Sequence, residues 1–203
     1  MWYSSCKHSG QVSSLKDALL AKRSQGELTL TLDCISHSSA QTQRLGMRLG
    51  ELLQGGELIL LEGQLGTGKT TFTQGLAQGL GITENINSPT FILLKEYANQ
   101  LQPGNSTNAL SHRRPSLYHF DLYRLDNPDE IIDLGFEDYF FSDGVSVIEW
   151  AEKAGSFWPE EHLNVRLKIM SETKRGLLFI ATGQHYCELL RQFQKNAYVT
   201  TGS

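Results

Sequence analysis

The residues best suited to chemistry stand in one short segment, Gly63 to Thr70. It reads GQLGTGKT and fits the phosphate-loop pattern G-x-x-x-x-G-K-[ST]. Glycines in such a loop let successive main-chain N–H groups point at one bound polyphosphate. We then expect Lys69 to reach the terminal phosphates and the Thr70 hydroxyl to ligate Mg²⁺. The simpler alternative is a glycine-rich turn that carries a lysine by chance.

The flanking segments favour the phosphate loop, because they predict the strand and the helix that the motif requires. Leu58 to Leu61 form a continuous apolar run, which is typical of a buried parallel strand. After the loop, Phe72, Leu76 and Leu80 recur at helical spacing. A helix that begins near Lys69 would direct the positive end of its dipole at the bound phosphates.

Two acidic residues are candidates for holding the metal ion, because each follows an apolar run that predicts a strand. Asp121 ends the run that begins at Leu117, and Glu149 ends the run that begins at Val145. Acids at the carboxyl ends of strands beside a phosphate loop commonly hold its Mg²⁺. The candidate catalytic residues are therefore Lys69, Asp121 and Glu149, and the residue that activates water stays unassigned.

Four other residues each admit two interpretations. Thr90 lies in a Ser-Pro-Thr corner and is either a γ-phosphate sensor or part of a plain turn. His119 shares a strand face with Asp121 and is more often a packed, hydrogen-bonded histidine than a base. Trp150 is either a core anchor or an exposed contact aromatic. Arg175 falls in a hairpin turn, where a solvated side chain is a simpler interpretation than a nucleotide contact.

The alternation of strand and helix patterns predicts a single α/β domain of the P-loop NTPase type. We expect a mixed, mostly parallel sheet flanked by helices, with an antiparallel edge hairpin. Besides the segments above, the patterns predict strands at Leu28 to Leu32, Phe91 to Leu94, Leu163 to Ile169 and Leu177 to Ala181, and helices that begin at Ser38 or Ser39, at Pro128 and at Glu137, with a last amphipathic helix over Tyr186 to Phe193.

Length and charge narrow the class of protein. The chain has 203 residues, so one domain is expected. Its net charge is −4, so it lacks the overall positive charge that would indicate direct binding to nucleic acid. Three widely spaced cysteines and the lack of an apolar run of about 20 residues predict a cytoplasmic protein with no membrane contact. We expect a flexible extension over residues 1–26, an ATPase domain over 27–183 with a mobile loop at 98–114, and a C-terminal helix and tail over 184–203.

Five motifs that occur in order resemble the TsaE (YjeE) family, the small bacterial P-loop ATPases of the tRNA threonylcarbamoyladenosine pathway. These motifs are GQLGTGKTT (Gly63 to Thr71), SPTF (Ser88 to Phe91), HFDLYRL (His119 to Leu125), DLGFE (Asp133 to Glu137) and IEW (Ile148 to Trp150). The HFDLYRL and IEW segments are far more specific than the phosphate loop alone. The resemblance extends from about Leu28 to about Thr182.

The resemblance implies a cytoplasmic ATPase that binds ATP and Mg²⁺ and acts with the TsaB and TsaD proteins. Together they place a threonylcarbamoyl group on N6 of adenosine 37 in tRNA. This protein would contact the tRNA only indirectly, through the complex with TsaB and TsaD. Thr70, Asp121 and Glu149 would serve the metal ion, and Thr90 and Trp150 are candidates for switching or partner contact. The implied nucleotide contacts are Thr42, Leu65, Gly66, Thr67, Gly68, Lys69, Thr70, Thr71 and Arg175.

The sequence departs from the family pattern in three respects. Gln64 stands where the family usually has Asp, and the 98–114 loop is longer than typical. The amino-terminal tail and the last helix lie outside the usual family core, so the resemblance implies nothing about them.

Two other functions also stay open. A P-loop kinase of a small metabolite would need a lid, which the insertion carrying Arg113 and Arg114 could provide. A nucleotide-gated interaction module would hydrolyse ATP only slowly and incidentally. A GTPase is disfavoured, because no Asn-Lys-x-Asp motif occurs.

Overall fold

A computed structural model describes residues 28–98, 114–127, 130–133, 135–155 and 157–198. Within these ranges the strands are β1 (Thr29–Ser36), β2 (Leu58–Glu62), β3 (Leu94–Tyr97), β4 (Leu117–Asp121), β5 (Val145–Glu149), β6 (His162–Ile169) and β7 (Arg175–Thr182). The helices are α1 (Ser39–Gly50), α2 (Lys69–Gly79), α3 (Glu130–Asp133), α4 (Glu137–Phe140) and α5 (Gln184–Tyr198), with a 3₁₀ helix at Ala151–Ala154. The predicted 1–26 extension and residues 99–113 of the predicted mobile loop lie outside the described residues. None of the described helices is long and apolar enough to cross a membrane.

The strands form one mixed sheet in the order β1-β7-β6-β2-β5-β4-β3. Strands β6, β2, β5 and β4 run parallel, which confirms the predicted α/β architecture with a parallel centre. The β6–β7 hairpin is not itself the edge of the sheet, because β1 pairs antiparallel with β7 along its whole length. In the parallel centre, Leu61 pairs with Glu149, and Glu149 pairs with Asp121. Both predicted acids therefore lie at the same edge of the sheet as the loop after β2.

Strand β2 separates two hydrophobic clusters, because its alternate side chains point to opposite faces of the sheet. Ile59 and Leu61 join the cluster that contains residues of α1, α2 and α5. Leu58 and Leu60 join the cluster that contains residues of α3, α4 and the 3₁₀ helix. The strand is thus buried on both faces, which explains why its sequence is continuously apolar rather than alternating.

The predicted strand at Phe91 to Leu94 is wrong for most of its length. Residues 90–92 form a turn and β3 begins only at Leu94. The amide groups of Ile92 and Leu93 both donate to the Pro89 carbonyl oxygen, and Leu93 adopts a φ of +63°. The corner therefore closes on itself, and the apolar side chains of Phe91 and Ile92 are left 84% and 64% exposed.

The helix predicted at Ser38 or Ser39 is confirmed, and Ser38 is its cap. The Ser38 Oγ accepts a hydrogen bond from the Gln41 amide at 3.2 Å, which satisfies one free donor of the first turn. The helix ends at Gly50, so Leu52 and Leu53 lie beyond it rather than on its apolar face. The other predicted elements differ from the observed ones mainly at their ends, and Pro128 lies outside the described residues.

Helices α1 and α2 pack unusually closely because glycines line their contact, namely Gly46, Gly50, Gly75 and Gly79. A Cβ added to Gly75 would lie 1.9 Å from the Gln43 carbonyl oxygen, and one added to Gly46 would lie 2.1 Å from that of Phe72. Only glycine permits this approach. Since α2 begins at Lys69, this contact with α1 fixes the position and direction of the amino end of α2.

We predict that Gly75→Ala lowers the free energy of unfolding by about 3 kcal/mol, at the upper end of overpacking penalties, because the methyl group meets main-chain atoms. Urea denaturation followed by circular dichroism measures the change. The matched control is Gln78→Ala at an exposed position of the same helix, which should change the value by less than about 0.5 kcal/mol. Equal midpoints for the two variants would contradict the close contact.

Candidate functional site

The loop between β2 and α2 turns at glycines and leads directly into the first turn of α2. Gly66 and Gly68 have φ values of +78° and +100°, in the left-handed region that favours glycine. Gly68 is the N-cap of α2 and provides no side-chain hydrogen bond to the first turn. A Cβ added to Gly66 would meet no atom within 4 Å, so the loop is open on that side. Amide groups at such a helix start can hold an anion.

The Lys69 side chain is buried beneath this loop, with 5% of its surface exposed. Its Nζ donates to the carbonyl oxygens of Gly63 and Gln64 and lies 3.5 Å from the ring centroid of Trp150. Burial lowers the pKa of Lys69 below its ordinary value, while nearby carboxylates, first among them Glu149, act in the opposite direction. The ammonium is thus held by neutral acceptors, and an anionic phosphate would be a stronger partner.

The Glu149 carboxylate is 2% exposed and is held by three side chains. Its Oε2 accepts a hydrogen bond from Thr70 Oγ1 at 2.9 Å. Its Oε1 lies 2.9 Å from His119 Nε2 and accepts a longer bond of 3.4 Å from Thr73 Oγ1. The structure therefore brings Glu149 against the hydroxyl that the sequence assigns to Mg²⁺.

The Asp121 carboxylate, also 2% exposed, binds the Ser-Pro-Thr corner instead. Its Oδ2 accepts hydrogen bonds from Ser88 Oγ and from Thr90 Oγ1, the latter at 2.7 Å. Its Oδ1 accepts the main-chain N–H of Tyr123 at 2.9 Å. A metal ion bound directly by Oδ2 would have to displace or share these hydroxyl groups.

The segment that follows β5 connects the acids to the loop. Trp150 has a φ of +62° and turns the chain from β5 into the 3₁₀ helix. Its ring is half-buried between the Lys69 ammonium and the Tyr123 ring, whose centroid is 5.0 Å away. Glu152 Oε1 accepts the Gly63 amide at 3.3 Å. Trp150 is thus neither a core anchor nor a fully exposed aromatic residue.

These groups surround a cavity of about 500 Å³. Most residues that the sequence predicts for the site line it, namely Leu65, Gly66, Gly68, Lys69, Thr70, Thr71, Thr90, Asp121, Glu149 and Trp150. Sequence reasoning missed Ser88 and Tyr123, which also line the cavity. Both stand inside motifs that carry the family resemblance, SPTF and HFDLYRL, and that position was the only signal for them.

Two of the predicted nucleotide-binding threonines do not line the cavity. Thr67 is buried, and its Oγ1 donates to the Gln64 carbonyl oxygen at 2.8 Å, within the loop. Thr42 is buried on α1, with its Oγ1 2.8 Å from Ser36 Oγ. These side chains support the loop and its neighbouring helix from behind.

Arg175 also lies outside the cavity lining, but it contacts the phosphate loop. Its guanidinium donates to the Gly66 carbonyl oxygen at 3.2 Å. Its other bonds go to carbonyl oxygens of its own hairpin turn, including Ser171 at 3.0 Å. The side chain is therefore a bridge between this turn and the loop, rather than a freely solvated group.

The donor set fits Mg²⁺ and a polyphosphate. The Thr70 hydroxyl and the Glu149 and Asp121 carboxylates are oxygen donors, which this hard cation prefers. No three or more His, Cys, Asp or Glu side chains converge on a metal position within the part of the chain that the structure describes. Magnesium is usually held by one or two carboxylates together with substrate phosphates, so the ion and the nucleotide would bind together.

Comparison with known proteins identifies relatives across most of the chain. The family model described as "Threonylcarbamoyl adenosine biosynthesis protein TsaE" matches residues 36–177. A "tRNA threonylcarbamoyladenosine biosynthesis protein TsaE" from Treponema pallidum is 39% identical over 144 residues, which cover 71% of this chain and 96% of that protein. A protein of the same name from Bacillus subtilis is 36% identical over 156 residues, covering 77% and 89%.

A solved structure agrees with the fold described above. The crystal structure of Bacillus subtilis YdiB matches with a TM-score of 0.68 and 29% sequence identity. The match covers 84% of this chain and 98% of that chain.

We predict that Asp121→Asn loosens the corner at residues 88–92. The two carboxylate oxygens now accept hydrogen bonds on opposite sides, Oδ2 from two hydroxyl groups and Oδ1 from the Tyr123 N–H. The asparagine carboxamide has only one accepting oxygen, so the donors on one side would lose their acceptor. Hydrogen–deuterium exchange of peptides covering residues 87–94 should become faster, and that of β2 should not change. Tyr123→Phe is the control, because Tyr123 contacts Asp121 through its main chain. Unchanged exchange in Asp121→Asn would contradict this role.

Proposed function

The chain belongs to the TsaE family, whose members take part in the biosynthesis of threonylcarbamoyladenosine in tRNA, and from this premise we propose that it is an Mg²⁺-dependent ATPase of that pathway. It binds ATP in the cavity around Lys69 and acts with TsaB and TsaD, through which it meets tRNA. The observation that carries the proposal is the 2.9 Å contact between Thr70 and Glu149 beside the buried lysine. A hydroxyl, an acid and a cation thus meet at the start of one helix.

In the proposed mechanism, the loop amides and Lys69 hold the phosphates. Lys69 leaves the carbonyl oxygens of Gly63 and Gln64 for the β- and γ-phosphate oxygens, which bear negative charge. Thr70 and Glu149 would hold the metal ion, and Asp121 would contribute to the same site. A Mg²⁺ ion held there would supply positive charge that offsets the negative charge developing on the phosphates.

Slow hydrolysis in the isolated protein follows from the engagement of both acids. Glu149 accepts hydrogen bonds through both oxygens, and Asp121 does the same. Because both acids are also proposed to hold the metal ion, no residue of the site is left assigned to orient an attacking water molecule. A phosphoryl-transfer site without a water-positioning residue or an arginine finger hydrolyses slowly until a partner completes it.

The proposed contact with TsaB and TsaD includes the apolar tip of the Ser-Pro-Thr corner. Phe91 and Ile92 directly follow the residues that bind Asp121, and both side chains are mostly exposed. The Arg124 guanidinium lies 4.5 Å from the Phe91 ring centroid, so the tip combines apolar surface with a positive charge. A partner bound there would contact the corner that Asp121 holds beside the nucleotide.

The kinase alternative has less support, because its candidate lid contributes a residue that is already engaged. Arg114 Nη1 donates to the Gly79 carbonyl oxygen at 2.7 Å and so binds the end of α2. Arg113 lies outside the described residues. Incubation with ATP and metabolite pools distinguishes a kinase from the proposed ATPase, since only a kinase would yield a phosphorylated metabolite.

The other alternative is a nucleotide-gated interaction module. It would be indicated if a variant that cannot hydrolyse ATP still supported tRNA modification.

We predict that Lys69→Ala weakens ATP binding at least about tenfold, because the phosphates lose a charged hydrogen-bond donor worth roughly 1.5–3 kcal/mol. Isothermal titration calorimetry with Mg²⁺ present measures the affinity. Lys195→Ala removes the same charge from an exposed position on α5 and should leave the affinity unchanged. Equal affinities for Lys69→Ala and the natural protein would remove the phosphate-loop assignment.

We predict that TsaB and TsaD together increase phosphate release, and that Phe91→Ser reduces this stimulation without changing the rate of the isolated protein. The reason is that Phe91 lies at the proposed contact and outside the cavity lining. Phosphate release is measured for the natural protein and for Phe91→Ser, each in isolation and in the presence of TsaB and TsaD. Phe141→Ser removes another largely exposed ring, which precedes the amino end of β5, and should retain full stimulation. Fast hydrolysis that the partners do not alter would refute the proposal.

A further inference from the structure

His119 is a fully buried polar residue in the middle of β4, the strand next to the edge strand β3. It lies on β4, paired with Val147 of the neighbouring β5, and its side chain is 0% exposed. Its Nε2 is 2.9 Å from Glu149 Oε1. It does not line the cavity, so it contacts neither the space for the nucleotide nor the reacting atoms. Any part it has in the reaction must be exerted through Glu149.

The second ring nitrogen of His119 gives an independent indication that this contact matters. His119 Nδ1 is buried and has no hydrogen-bond partner. An unpaired buried polar atom destabilises a fold by about 1–3 kcal/mol, so an apolar side chain would suit this core position better. The stability cost needs an explanation, and the bond to Glu149 is the only hydrogen bond that the described structure gives this ring.

The chemistry of the pair defines the direction of the hydrogen bond. An ionised carboxylate only accepts hydrogen bonds, so His119 Nε2 carries the hydrogen and donates it to Glu149 Oε1. In a neutral ring, Nδ1 would then be the unprotonated nitrogen, which leaves no N–H group buried without an acceptor. Thr73 Oγ1 is a weaker donor to the same oxygen, because it lies 3.4 Å away and also donates to the Lys69 carbonyl oxygen.

We propose that His119 is a positioning residue that holds the Glu149 carboxylate in the orientation required for Mg²⁺. The inference rests on the proposed Mg²⁺–ATP function. With Oε1 held by His119 on the core side, Oε2 stays beside Thr70 at the cavity. Without the histidine, the carboxylate can rotate away and the metal ion loses a placed ligand. Outer partners of metal ligands typically change metal affinity by about 10–100-fold when removed.

The experiment compares His119→Gln with His119→Asn, two carboxamides that differ in reach. The glutamine amide can occupy the place of Nε2 and donate to Glu149, whereas the shorter asparagine amide cannot. Calorimetry measures ATP binding in EDTA and at increasing Mg²⁺, and thermal melting checks the fold. We expect His119→Asn to need about tenfold more Mg²⁺ for its half-maximal effect, with unchanged binding in EDTA. His119→Gln should stay close to the natural protein.

A double-mutant cycle tests whether His119 acts through Glu149. In a Glu149→Ala background, His119→Asn should cause no further change in Mg²⁺ dependence. Additive effects would overturn the proposal, and so would a natural Mg²⁺ dependence in His119→Asn. If that variant does not fold, His119→Leu replaces it, with the same expectations. If the natural protein itself shows no Mg²⁺-dependent ATP binding, the proposed function fails and this inference fails with it. If the natural protein does bind ATP in a Mg²⁺-dependent way and His119→Asn behaves identically, the inference alone is overturned.

Discussion

The buried charge of Glu149 is the constraint on which the arrangement of the site depends. A carboxylate removed from water destabilises the fold unless donors surround it. Here three side chains from two elements donate to it: Thr70 and Thr73 on α2, and His119 on the neighbouring strand β4. Because β5 lies between β2 and β4, its last residue can meet both the phosphate loop and the second acid. Stable folding and a formed site therefore require the same contacts.

The two acids at neighbouring strand ends have different structural roles. Glu149 is bound to the helix that follows the phosphate loop, whereas Asp121 is bound to the corner at residues 88–90. The 3₁₀ segment links the two halves, since Glu152 accepts the Gly63 amide and Lys153 donates to the Tyr123 and Leu125 carbonyl oxygens. A ligand that moves Lys69 or Asp121 would disturb both the loop and the corner.

Local patterns were enough to predict the strand before the Gly63–Thr70 segment and the helix that begins at Lys69, because the hydrophobic period acts within a few residues. They failed at Phe91 to Leu94, where two hydrogen bonds to Pro89 outweigh the strand preference of an apolar run. They also missed the contact of His119 with Glu149, which depends on the register between β4 and β5. The glycine contact between α1 and α2 is equally non-local, since neither helix alone indicates how closely the other approaches.

The state of Lys69 shows how such a loop can be ready for an anion before one arrives. Its ammonium is buried at a position where burial lowers the pKa, and among the described residues its contacts are carbonyl oxygens and an aromatic face. These neutral partners hold the side chain in place beside the loop. An arriving phosphate offers the charged form a stronger partner and favours protonation of the lysine. Movement of Lys69 toward a phosphate would change its contact with the Trp150 ring, which packs at a tilt against Tyr123 beside Asp121. In the proposed function, nucleotide binding would thereby be coupled, through one side chain, to the corner that carries the exposed Phe91.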